Sequence, residues 1–236
     1  MDDDLKKHLH REIANATVKI LEKVDDTYEF RGSGFFITPE GYLLTAYHCI
    51  EEIPPDDLFI ETRFDGKFKA VFDAQKSLRD IQYDIAVLTV NYRPIHCLPL
   101  GMVSNQVALT DEIVAVGYPA GHKPENTQIG IYVGKISRFR TDNKIENNAI
   151  KGQGQSGGLI YHYATQRVVG LAVRHYKQDV MSDTGLATRF EPLFEKWFEL
   201  KIINNKVAKA WDERLEQLQF FESSGILSEL SPTDIT

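Results

Sequence analysis

The 236-residue sequence is short of cysteine, of basic blocks and of long apolar runs, and each shortage removes a class of protein. Cys49 and Cys97 are its only cysteines, too few for a disulfide framework, and both read as small buried hydrophobes. No stretch approaches the ~18 consecutive apolar residues of a membrane helix. Lys and Arg number 27 against 34 Asp and Glu, for a net charge of −7, and they form no cluster. Phosphate contacts need clustered cations, so neither nucleic acid nor a membrane is an expected partner. The opening Met1-Asp2-Asp3-Asp4-Leu5-Lys6-Lys7 is acidic and has no apolar signal core. Together with the scarce cysteines, it leads to the expectation of a cytoplasmic chain.

What is present is the texture of an all-β body between helical ends. Residues 1–15 are charged, with Leu5, Leu9 and Ile13 at four-residue spacing, and predict a short helix. From Ala16 short β-type runs begin: Ala16–Leu21, Gly34–Thr38 and, after the turn Pro39-Glu40-Gly41, Tyr42–Ala46. Further runs fall at Leu58–Arg63, Lys67–Asp73, Ile85–Val90, Glu112–Val116, Gly130–Phe139, Gly157–Tyr161 and Val168–Arg174. Short strands divided by Gly, Pro, Asn and Asp suggest a barrel or sandwich rather than βαβ units. The apolar-poor stretch Asn91-Tyr92-Arg93-Pro94 reads as a connector between two halves, near residues 91–98. The body is expected to span 16–200 and a helical extension or linker 201–236. Leu193, Phe194, Trp197 and Phe198, then Ile203, Val207, Trp211, Leu215 and Leu218, recur at helix spacing and should pack against the β body. Ser231-Pro232 resembles the start of another helix, which suggests a piece of something longer.

Three motifs carry chemistry. Gly154-Gln155-Ser156-Gly157-Gly158 sets a serine among glycines, which let successive N–H groups face one point, as an oxyanion site needs. A serine hydroxyl is a poor nucleophile without an adjacent base. Thr45-Ala46-Tyr47-His48-Cys49 places an imidazole at the end of an apolar strand, where it is held firmly enough for base work. Tyr83-Asp84-Ile85-Ala86-Val87-Leu88 brings an acid to the mouth of another strand, where it can hold the imidazole tautomer. His8, His10, His96, His122, His162 and His175 lack such surroundings, and no pair has zinc-ligand spacing, so neither metal nor cofactor is expected.

Together these motifs resemble the trypsin-like, chymotrypsin-fold serine proteases, and among them the HtrA-type members. That family's chain order is His, Asp, Ser, matching His48, Asp84 and Ser156, which lie 36 and 72 residues apart here. Gly32-Ser33-Gly34-Phe35-Phe36-Ile37 resembles the strand before the histidine, and Val114–Pro119 the opening of the second barrel. Gly170-Leu171-Ala172-Val173 resembles the substrate-pairing strand and Gly185-Leu186-Ala187-Thr188 the pocket wall. The resemblance implies two six-stranded antiparallel β-barrels with terminal helices and a serine endopeptidase acting on protein or peptide substrates. His48 would be the base, Asp84 its orienting acid, Ser156 the nucleophile, and the N–H groups of Gly154 and Ser156 the oxyanion hole.

The implied substrate pocket takes in Ile150, Lys151, Ala172, Val173, Arg174, His175 and Gly185. Ile150 stands where Lys- and Arg-cutting members have an acid, so that preference is not expected. Lys151, Arg174 and His175 would favour acidic substrates, but Ala172 stands where Glu-specific relatives carry histidine, and a small apolar pocket fits as well. Residues 201–236 are too few for the PDZ domain that usually follows. Control by an activating partner or a fused module is expected, as in bacterial defence systems that this chain resembles in outline. A catalytically silent scaffold of the same fold is the alternative. An esterase with a nucleophile elbow is disfavoured, because its serine precedes its acid and histidine.

Overall fold

The computed structural model describes residues 3–103, 106–119, 128–150, 154–175 and 184–224, the side chains of Arg174 and His175 excepted. Strands β1 (Thr17–Val24), β2 (Thr27–Phe36), β3 (Tyr42–Ala46), β4 (Leu58–Glu61), β5 (Lys67–Phe72) and β6 (Ile85–Val90) close an antiparallel barrel in the order β1-β2-β3-β6-β5-β4. Strands β7 (Glu112–Gly117), β8 (Gly130–Phe139), β9 (Lys144–Asn147), β10 (Leu159–His162), β11 (Arg167–His175) and β12 (Gly185–Thr188) close a second, ordered β10-β11-β12-β9-β8-β7. The expected pair of six-stranded barrels is therefore present.

Two strands run differently from their sequence reading. β2 begins at Thr27, not Gly34, because Asp25 takes a left-handed φ of 53° and turns β1 tightly back on itself. β9 has no alternating apolar pattern to announce it. All four of its residues are nevertheless buried, with Lys144 and Glu146 held by polar partners.

One apolar cluster fills the first barrel and continues across the seam to Val114, Leu159 and Leu171, while Ile113, Ile136, Ile160 and Val169 fill the second barrel. The segment between β6 and β7 bonds to both barrels: Leu98 N–H donates to Phe36 O at 3.0 Å and Gly101 N–H to Val168 O at 2.8 Å.

Helix α1 (Asp3–Asn15) buries Leu5, Leu9 and Ile13, and its first-turn Asp3 and Asp4 suit the positive end of the helix dipole. Helix α2 (Glu191–Lys196) follows β12 and buries Leu193 and Phe194; Trp197 ends it and is buried too. Phe198 departs from its expected place in that stripe: with α2 finished at Trp197, it points outward and is 72% exposed. Helix α3 (Leu200–Ser223) lays Val207, Trp211, Leu215 and Leu218 against the body. It is strapped there by polar contacts. Asn204 exchanges two hydrogen bonds with the Leu100 backbone, at 2.7 and 2.9 Å. Trp211 Nε1 donates to Tyr161 Oη at 3.2 Å, and Arg167 holds Asp212 through two contacts of 2.8 Å. The buried Glu12 of α1 joins this assembly through His96 and Arg214, each at 3.0 Å. No helix among the described residues is long and apolar enough to cross a membrane.

Candidate active site

β3 ends at Ala46 and turns directly into a short 3₁₀ segment, Tyr47–Cys49, that carries His48 out of the first barrel. Asp84 sits at the mouth of β6 with a left-handed φ of 57°, a conformation that costs a non-glycine residue about 1–3 kcal/mol. Several hydrogen bonds fix it there. Its N–H donates to Asp80 O at 2.8 Å, and its own carbonyl accepts from Tyr47 N–H at 3.2 Å. Its carboxylate grips the histidine twice: Oδ1 accepts from the His48 backbone N–H at 2.9 Å and Oδ2 from Nδ1–H at 2.6 Å. An ionised carboxylate only accepts, so Nδ1 must carry the proton, and in the neutral ring the lone pair is then on Nε2.

The second barrel holds this acid in place from the other side of the seam. Thr188 Oγ1 donates to the Tyr83 carbonyl, next to Asp84 in the chain, at 2.7 Å. Lys144 Nζ in turn donates to Thr188 Oγ1 at 2.5 Å. Nothing in the pattern around Lys144 marks it as a neighbour of the site, and Thr188 is expected only as part of the pocket wall; the closed barrel brings β9 and β12 against the Asp84 turn.

Ser156 lies on the loop before β10. Gly154 and Gly157 both take left-handed φ values, 87° and 81°. Gly157 N–H donates to Ala172 O at 2.7 Å, and Ala172 N–H to Gly158 O at 2.8 Å, so β11 grips the loop. Across the seam, Ser33 N–H donates to Ser156 O at 2.8 Å. Ser156 Oγ donates to Val173 O at 3.3 Å, and no hydrogen bond joins it to His48.

Burial disfavours the His48 imidazolium, but the hydrogen bond that the ring donates to the Asp84 carboxylate, together with the neighbouring Cys49, outweighs it and raises its pKa to about 10. A cleft of about 310 Å³ opens beside it, lined among others by Tyr47, His48, Ile81, Asp84, Val173 and Leu186.

The remaining pocket residues divide. Ile150 is 2% exposed and stands against Gly185, where an added Cβ would lie 2.3 Å from that of Ile150. Ala172 and Val173 are buried on β11. Lys151 lies outside the described residues, and of Arg174 and His175 only the backbone is described, paired with Leu186 and Gly185. His162 is fully buried between Thr165 and Asp111, at 2.9 and 3.0 Å, and His10 meets Tyr163 at 2.6 Å. Among the described residues no group of His, Cys, Asp and Glu could hold a metal ion.

This arrangement of two six-stranded barrels is that of the trypsin-like peptidases. The profile of the trypsin-like peptidase domain matches residues 32–171, and the chain belongs to that family. Curated relatives include a probable periplasmic serine endoprotease DegP-like from Rickettsia conorii, 28% identical over 64% of this chain and 30% of its own length. The protein of that name from Rhizobium meliloti is 31% identical over 60% of this chain and 27% of its length. The chain thus spans about a third or less of these relatives. Among solved structures, the serine endoprotease from Yersinia pestis has the same fold, with a TM-score of 0.66 and 20% identity over 82% of this chain and 65% of that one.

The relatives overturn the expected cytoplasmic location, since they are named as periplasmic. The two free thiols are no counterargument: Cys49 is buried against the Ser156 carbonyl and Cys97 partly buried, so neither needs a reducing compartment to stay unpaired. The relatives give no support to a defence role either.

Proposed function

We propose that this chain is the peptidase unit of a serine endopeptidase that cleaves proteins through an acyl-enzyme on Ser156. The observation that carries it is the 2.6 Å contact between His48 Nδ1 and Asp84 Oδ2, taken with a serine on a glycine loop tied across the seam to the histidine's own barrel. Ser156 Oγ would attack the scissile carbonyl carbon while His48 Nε2 takes its proton. The resulting oxyanion would lie on the N–H groups of Gly154 and Ser156, and the imidazolium would return the proton to the leaving amine. Water would then repeat the attack and free the serine. Ile150, buried against Gly185, puts hydrocarbon at the pocket base and argues against substrates cut after Lys or Arg. The relatives' names support the periplasm as its compartment, and an activating partner or fused module belongs to the same reading.

One observation favours the silent scaffold: the Ser156 hydroxyl rests on Val173 O and not on His48. Contacts of a catalytic hydroxyl with its base often tighten only with substrate. A fluorophosphonate probe decides between the two readings. The endopeptidase reading expects one adduct, which peptide mapping by mass spectrometry assigns to Ser156. Absence of labelling, with casein or a peptide present as activator, would support the scaffold.

The raised His48 pKa gives a second test. Only neutral imidazole takes a proton, so kcat/KM should rise with pH along a limb displaced above the ordinary ~6.5. Stability runs the other way. The imidazolium–carboxylate pair contributes fully below ~6.5, and its contribution is lost as pH rises through about 10. A pH–rate profile that is flat from pH 5 to 8 would contradict this assignment of the base.

A further inference from the structure

Ser33 is fully buried on β2, in the first barrel, yet most of its polar contacts lie in the second. Its hydroxyl donates to the Gly154 carbonyl at 2.9 Å and accepts from the Tyr118 N–H, just past β7, at 2.8 Å. Its backbone N–H donates to Ser156 O at 2.8 Å. Its carbonyl accepts from Thr45 Oγ1 at 2.7 Å, on the strand that leads to His48. The two carbonyls that flank Gln155 are therefore both held by one residue of the opposite barrel. The fit is close: a Cβ on Gly117 would stand 3.0 Å from Ser33 Oγ.

We propose that Ser33 is a positioning residue for the nucleophile loop, its hydroxyl fixing the Gly154–Gln155 peptide that lies between the two oxyanion donors. This rests on the triad reading above. The reasoning is geometric. Anchoring the Gly154 carbonyl fixes the plane of the Gly154–Gln155 peptide, so the Gly154 N–H on one side and the Ser156 N–H on the other are set from a common immobile unit. Glycine imposes little conformational preference of its own, and the bond inside the loop, Gly158 N–H to Gln155 O at 2.8 Å, leaves the Gly154 carbonyl to an outside anchor. Ser33 supplies it, and the Tyr118 N–H keeps the hydroxyl aimed by occupying one of its acceptor sites. A charge that develops at an oxyanion is stabilised only by donors already in place, which makes this aim matter for rate.

Ser33→Ala isolates the hydroxyl, because the backbone bonds to Ser156 and Thr45 survive it. The probe is a fluorophosphonate, whose phosphoryl oxygen takes the oxyanion position, and its labelling rate and final extent are read separately. A merely structural role would reduce the extent, which counts folded molecules, and leave the rate of those that label unchanged. The positioning role predicts a rate lower by about 10–100-fold at full extent, with the pH midpoint of labelling unmoved because His48 is untouched. Ser33→Cys retains shape with a weaker donor and should label at an intermediate rate; it carries the test if the alanine variant does not fold. Wild-type labelling with Ser33→Ala and Ser33→Cys rates within twofold of it would overturn the role of Ser33 alone. A wild-type chain that never labels would overturn the triad and this role together.

Discussion

With alanine in place of Ser156, casein turnover should fall by about 10⁶-fold, because a triad acts as a unit and what remains comes from binding and the oxyanion donors. Asp84→Asn should cost less, about 10⁴-fold in kcat, and for a different reason. The asparagine amide would present N–H where Oδ2 now accepts, turning the imidazole to the tautomer whose Nε2 already carries a proton. That nitrogen cannot take another from Ser156. The same variant removes the carboxylate that raises the His48 pKa, so any residual activity should show its limb shifted back toward ordinary histidine values. Steady-state kinetics with folded variants check both numbers. A Ser156→Ala protein that retains even one per cent of turnover would place the nucleophile elsewhere.

Gly157→Ala should be the most damaging single methyl in the site. The added Cβ would stand 2.0 Å from the Ser33 carbonyl and 2.4 Å from Thr45 Oγ1, and φ is 81°. The first contact is with backbone, which cannot swing aside as a side-chain end can. Left-handed strain and overpacking together should cost on the order of 4 kcal/mol. For a domain of this size that lowers Tm by roughly 8–16 °C. Activity should vanish as well, since the loop can relieve the clash only by withdrawing Ser156 from the first barrel. Calorimetry and fluorophosphonate labelling would test this, and an unshifted Tm with normal labelling would contradict the close approach.

The motifs around His48, Asp84 and Ser156 were legible because each joins a chemically unusual residue to a clear local pattern: a strand end, a strand mouth or a glycine loop. The barrels were legible from the rhythm of short apolar runs. The polar groups that unite the barrels were not. Ser33, Lys144 and Thr188 are single residues on strands, and even where a motif contains them, as with Ser33 and Thr188, nothing in it reveals a bond to the other barrel. Their partners lie up to 121 residues away, as Ser33 and Gly154 do, and only closure of the two barrels brings them together. β9 escaped for a related reason. Its lysine and glutamate are buried by partners that alternation of apolar residues cannot reveal. The compartment was misread because the charge at one end of a chain and its total of cysteines are weak guides to where a protein works.

Each barrel closes its own hydrogen-bond ladder, and among the described residues no strand of one pairs with a strand of the other. Warming can therefore slacken the joint between them before either cylinder loses a rung, dispersing a nucleophile and base that come from opposite sides. Loss of function on heating would then precede loss of β-sheet signal, leaving a window in which the protein is folded, idle and recoverable on cooling.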